Sequence, residues 1–143
     1  MAFLNSYLNF NGDAEQAFNL YKSVFGGEFS MFSRFGDVPP GTPGMDGSDD
    51  PKKILHVALP IGKHCVLMGS DCPASFGEGT QGNLFNISIN TDSKEEADRL
   101  FNGLSNGGKV FMPMADTFWG SYFGMFSDPF GVQWMVSYEY PKS

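Results

Sequence analysis

The chain repeats itself. Asp13-Ala14-Glu15-Gln16-Ala17-Phe18-Asn19-Leu20-Tyr21 and Ser93-Lys94-Glu95-Glu96-Ala97-Asp98-Arg99-Leu100-Phe101 match at one constant offset, which sets Ala17, Leu20, Tyr21 and Val24 on Ala97, Leu100, Phe101 and Leu104. Each segment is followed by a glycine pair, Gly26-Gly27 and Gly107-Gly108. Apolar residues at 14, 17, 18, 21, 24 and 25 recur with the period of an amphipathic helix. Asp13 and Asp92 suit its N-terminal cap or first turn, and the glycines suit its exit. A fold for this chain must therefore place one helix, with the same burial face, in each half.

Short strand-like runs surround each helix. The first half predicts a strand near 3–10, the helix near 13–25, and strands near 28–35, 53–60 and 64–70. The second predicts a strand near 83–91, the helix near 94–105, and strands near 109–115, 121–127 and 132–139. Pro60-Ile61-Gly62-Lys63 and Asp128-Pro129-Phe130-Gly131 are turn sequences at matching places, each joining the last two strands of its half. The pattern is βαβββ written twice, an α+β arrangement with helices packed on one face of antiparallel-rich sheets. Its 143 residues suffice for one domain, with module 1 over about 1–72 and module 2 over about 83–143. The stretch 36–52, rich in Gly, Pro and Asp, reads as a mobile surface loop.

Composition narrows the partners. A formal charge of −7 disfavours nucleic acid and anionic membranes, which attract basic faces. No apolar run reaches the roughly 18 residues of a membrane span. The start of the chain has neither the basic region nor the apolar stretch of a secretory signal, so a cytoplasmic location is expected and Cys65 and Cys72 are expected to be thiols. Fifteen phenylalanines point to an aromatic core or an apolar pocket. There is no Gly-x-Ser-x-Gly elbow, no Walker phosphate loop and no Gly-x-Gly-x-x-Gly turn.

Several motifs together carry a family resemblance. They are Tyr7-Leu8-Asn9-Phe10-Asn11-Gly12, Phe18 through Gly27, Leu67-Met68-Gly69-Ser70-Asp71, Thr117-Phe118-Trp119-Gly120, Phe123-Gly124-Met125, and Asp128-Pro129-Phe130-Gly131-Val132-Gln133-Trp134-Met135. Over essentially its whole length the chain resembles the PhnB-like branch of the vicinal oxygen chelate (glyoxalase/bleomycin resistance protein/dioxygenase) superfamily. The resemblance implies the glyoxalase-like fold, two βαβββ modules forming a cupped mixed sheet with helices outside, and commonly a homodimer. The modules can pair within one chain or across two.

The resemblance also implies a divalent metal held by His, Glu or similar residues on the first and last strands of each module. Those positions fall on Ser6, Met68, Leu84 and Met135. Their neighbours are Asn5 or Tyr7, Leu67 or Gly69, Asn83 or Phe85, and Trp134 or Val136. None is His, Asp or Glu, and thioethers are soft ligands unsuited to Mg²⁺, Mn²⁺ or Zn²⁺. No metal and no cofactor are expected.

The histidines are His56 and His64. Alternation along the strand turns His56 toward the cup, where it is the candidate general base, against the plainer reading of a hydrogen-bonded strand histidine. The expected ligand pocket is Ser6, Leu8, His56, Met68, Leu84, Trp119, Phe123 and Met135. Phe118 and Trp119 suit either a ligand cap or a dimer contact, and Trp134 reads as helix-side core. Arg34 and Asp71 could orient an ionic substrate, although such charges are mostly solvated. Three functions compete. The first is a metal-free binder of a small apolar or aromatic molecule. The second is a superfamily enzyme (lyase, isomerase or dioxygenase type) with an atypical site using His56. The last is a methyltransferase, a label often attached to PhnB-like sequences, which lacks a nucleotide-type cofactor loop here.

Overall fold

A computed structural model describes residues 2, 4–39, 50–73, 77–80, 82 and 84–141. Most of the expected loop, residues 40–49, lies outside the described residues. The chain divides into two compact units, Met1–Thr80 and Gln81–Ser143.

Unit 1 runs β1 (Ser6–Phe10), α1 (Ala14–Phe25), β2 (Met31–Arg34), β3 (Ile54–Ile61) and β4 (Cys65–Asp71), with a short 3-10 turn at Phe35–Asp37. Its sheet has the order β1-β4-β3-β2, with β1 parallel to β4 and the other pairs antiparallel. The helix buries the stripe Ala14, Ala17, Phe18, Tyr21 and Val24. Beneath it lie Phe10, Val57, Leu59 and Leu67. Gly69 makes the close approach possible, because a Cβ there would stand 2.6 Å from the Phe18 ring.

The start of α1 is held differently from the sequence expectation. Asp13 makes no side-chain cap bond. Asp71, at the end of β4 and 1% exposed, takes that role from across the fold. Its Oδ1 accepts from the Gly12 and Ala14 amides at 2.9 and 3.0 Å, and its Oδ2 from the Ile54 amide at 2.8 Å. One buried carboxylate thus fastens helix, strand and sheet end together, consistent with the rule that buried charge is fully hydrogen-bonded. It is not available to orient a substrate.

Unit 2 repeats the scheme with β5 (Ile87–Asn90), α2 (Lys94–Ser105), β6 (Lys109–Asp116), β7 (Ser121–Ser127) and β8 (Gln133–Glu139). The order is β5-β8-β7-β6, with β5 parallel to β8. Helix α2 buries Ala97, Leu100, Phe101 and Leu104. Its cap is Ser93 rather than Asp92: the Ser93 hydroxyl accepts from the Glu96 amide at 3.1 Å, and the Glu96 side chain returns to the Asp92 amide at 3.3 Å.

Strand β5 starts later than expected. The Gln133 side chain donates to the Phe85 carbonyl at 2.8 Å, so the ladder with β8 begins only at Ile87↔Trp134. Leu84 stands before the strand, 86% exposed. In the turn between β7 and β8 the buried Asp128 accepts from the amides of Phe130 and Val132 and from the Trp134 indole, at 2.9, 3.0 and 2.9 Å. The Asp-Pro-Phe-Gly-Val-Gln-Trp motif is therefore a structural lock for the last hairpin. Among the described residues no helix is long and apolar enough to cross a membrane.

Candidate functional site

Strand register decides which side chains each sheet offers on the face away from its helix. In unit 1, Leu67 and Gly69 point toward α1, so Met68 points away. The partners of Met68 are Tyr7 on β1 and Ala58 on β3, and Ala58 in turn pairs with Met31 on β2. One row thus reads Tyr7, Met68, Ala58, Met31. The next contains Asn9 beside Ser70 and His56 beside Ser33.

This placement changes two of the expected pocket residues. Ser6 pairs with Leu67 and Leu8 with Gly69, so both share the helix side with Phe10. The register is one residue from the expected one, and such a slip moves a strand's whole set of side chains to the other face. Tyr7 stands where Ser6 was expected. His56 does lie on the helix-free face. Its ring stacks on Tyr7 with centroids 5.7 Å apart, and its Nδ1 is 3.4 Å from the Tyr7 hydroxyl. His64 sits in the exposed turn before β4.

Unit 2 offers a parallel arrangement. Trp134 and Val136 are buried under α2, which turns Met135 and Ser137 away. Met135 pairs with Ser88 and Met125, and Met125 with Met112. The adjoining row is Asn90, Ser137, Phe123 and Ala115. Ser137 donates to Asn90 at 3.4 Å, just as Ser70 donates to Asn9 at 3.5 Å in unit 1. Trp119 packs edge-on against Phe123, centroids 6.0 Å apart, and Phe118 against Trp119 at 5.0 Å. Phe118 is 97% exposed and Trp119 58%. Leu84, outside β5, joins neither row, and Ser88 occupies the place expected for it.

At the strand places where the resemblance led to Ser6, Met68, Leu84 and Met135, the register puts Tyr7 beside Met68 in unit 1 and Ser88 beside Met135 in unit 2. A phenol, an alcohol and two thioethers do not fit a Mg²⁺, Mn²⁺ or Zn²⁺ centre, which asks for carboxylate, imidazole or thiolate ligands. Among the described residues no group of three or more His, Cys, Asp or Glu side chains is placed to hold a metal ion.

The charged groups with displaced pKa values lie away from these rows. Arg34 forms a forked pair with Glu15, 2.7 Å at the shorter contact. Hydrogen bonding to the guanidinium lowers the Glu15 pKa and correspondingly raises that of Arg34. On the helix side of unit 2 the Tyr122 hydroxyl donates to Asp98 at 2.7 Å, and that bond with partial burial pushes the phenol up to about 12. Arg34 and Tyr122 are thus tied to helix residues and contribute to packing.

The arrangement agrees with what known proteins show. The model of the Glyoxalase/Bleomycin resistance protein/Dioxygenase superfamily matches residues 4–136. The chain belongs to that superfamily. Within it the chain is 29% identical over 142 residues to Protein YjdN of Escherichia coli, covering 94% of this chain and 93% of that one. The crystal structure of protein PA1353 from Pseudomonas aeruginosa shares 43% identity with a TM-score of 0.84, over 97% of this chain and 98% of the other. A PhnB protein from Bacillus cereus, described as a putative 3-demethylubiquinone-9 3-methyltransferase, superposes with a TM-score of 0.75 at 22% identity, covering 96% and 99% of the two chains. That last likeness concerns the fold alone. The two βαβββ modules expected from the repeat are seen in units 1 and 2.

Proposed function

We propose that this superfamily member is a metal-free protein that binds a small apolar or aromatic molecule on the helix-free faces of its sheets. The observation that carries the reading is the make-up of the central rows. They hold five methionines, Phe123, the Tyr7–His56 pair, and two Asn–Ser pairs as neutral polar points, with no Lys, Arg, Asp or Glu. Adaptable thioethers beside rings and a few amides suit an uncharged ligand.

A neutral naphthylamine fluorophore tests it. Saturable binding is expected, reduced at least about tenfold, or roughly 1.4 kcal/mol, by Met68→Glu on the face of unit 1 or by Met135→Glu on that of unit 2, each of which brings charge to an apolar face. Absence of saturable binding, or indifference to both substitutions, would overturn the reading.

A second reading is favoured by one contact. In the tautomer whose Nδ1–H donates to the Tyr7 oxygen, Nε2 of His56 is left to take a proton, the arrangement of an oriented general base. In that reading His56→Ala abolishes a turnover while the fluorophore still binds; a substrate converted equally well by the variant would exclude it.

A further inference from the structure

Three methionines stand side by side on one face of unit 2. Met112 on β6 pairs with Met125 on β7, and Met125 pairs with Met135 on β8. Directly opposed residues on antiparallel strands have Cβ atoms about 4.5–5.5 Å apart. An unbranched side chain with three rotatable bonds can close that separation, so three sulfurs in one row can meet over the middle strand. Strand β6 shifts register on both sides of Met112, which re-aims that residue relative to a regular ladder. Met112 is 45% exposed, giving an approach from solvent, while Met125 and Met135 are half-buried and held by the central strands.

The chemistry of the row is distinctive. Thioether sulfur is a neutral, soft donor that favours Cu⁺ and serves poorly for Mg²⁺, Mn²⁺ or Zn²⁺. The adjoining row of Asn90, Ser137, Phe123 and Ala115 supplies no carboxylate to neutralise a divalent ion. The repeat sharpens the contrast. Met31 and Met68 occupy the matching places in unit 1, but Ala58 lies between them where unit 2 has Met125. Among the described residues, the second unit alone has sulfur on three adjacent strands of this row. We propose that Met112, Met125 and Met135 form a thioether site for a soft monovalent cation, Cu⁺ or its redox-inert analogue Ag⁺. The site involves coordination alone, with no electron transfer. It goes beyond the ligand-binding reading, which is metal-free in the sense of lacking a hard divalent ion, and does not depend on it.

The test uses the full chain carrying Cys65→Ser and Cys72→Ser, because both cysteines are free thiols and would compete for the same ion. With methyl-labelled methionines, Ag⁺ is titrated first and Cu⁺ then added without oxygen. The methyl signals of Met112, Met125 and Met135 should move together and saturate at one ion per chain, with Met31 and Met68 unmoved. Each single Met→Leu change should weaken binding by more than the roughly tenfold that loss of a supporting neighbour costs a metal site. The triple leucine variant should not bind. Should it fail to fold, the volume-conserving single variants give the same readout. Methyl signals that stay still at one equivalent, or leucine variants that bind as the parent does, would overturn the proposal. Leucine keeps the face apolar, so fluorophore binding by these variants shows separately whether the ligand-binding reading stands.

Discussion

Tyr7 and His56 stack ring on ring, 5.7 Å between centroids, although their strands β1 and β3 are separated by β4. The pair bridges the middle of a sheet face that otherwise offers methionine, serine, asparagine and alanine. Such ring pairs contribute about 0.5–1.5 kcal/mol beyond the area they bury. A double-mutant cycle of Tyr7→Ala and His56→Ala, read from urea midpoints, should give a coupling energy near the lower end of that range because Tyr7 is 45% exposed. Strict additivity would show that the contact does not persist in solution.

Asp71 holds three amide donors, from Gly12, Ala14 and Ile54. Leaving buried donors unpaired costs about 1–3 kcal/mol each. Asp71→Ala should therefore lower stability by on the order of 3 kcal/mol or more, with Asp71→Asn intermediate because its amide oxygen still serves Gly12 and Ala14. Denaturant unfolding measures both. A loss below about 1 kcal/mol in the alanine variant contradicts the role assigned to this carboxylate.

At Gly69 and Gly124 helix rings rest on strand backbone. An added Cβ would meet Phe18 at 2.6 Å in the first case, and Met114 at 2.6 Å and Phe101 at 2.8 Å in the second. Overpacking of this kind costs typically about 1–3 kcal/mol. Gly69→Ala should be the more damaging, since its Cβ would stand 2.9 Å from the Leu8 carbonyl against 3.1 Å from the Met112 carbonyl at Gly124, and backbone cannot rotate aside. Thermal melts of the two variants decide the order.

Tyr122 sets an alkaline limit. Its pKa is pushed up to about 12 by the bond to Asp98, whereas an unfolded tyrosine titrates near 10. The folded chain holds that proton more tightly, so the contribution is complete below about pH 10 and is lost as pH rises from about 10 to about 12. Urea midpoints followed across that window should fall less steeply for Tyr122→Phe than for the parent chain. Equal slopes would mean that the Asp98 bond is not maintained.

Much of the fold was legible because the repeat supplies each helix and hairpin twice, and both helices lie within a residue of their expected bounds. The face assignments on β1 and β5 were harder to read. Ser6 and Tyr7 are both reasonable strand residues, and only the pairing with Leu67 and Met68 shows which one points away from the helix. Leu84 and Phe85 look like strand, yet Gln133 takes the Phe85 carbonyl and the ladder starts beyond them. Asp71 resembles a solvated strand-end charge because its three donors lie 17 to 59 residues away in sequence. The methionine row is invisible as a motif, since residues 112, 125 and 135 meet only through cross-strand register.

The measurement that bears most directly on the account is fluorophore affinity before and after exhaustive treatment with a divalent-metal chelator, with Mn²⁺ and Zn²⁺ then added back. Tyr7, Met68, Ser88 and Met135 provide no hard-metal site, so the dissociation constant should be the same in all three states. Loss of binding on chelation, restored by either ion, would contradict it.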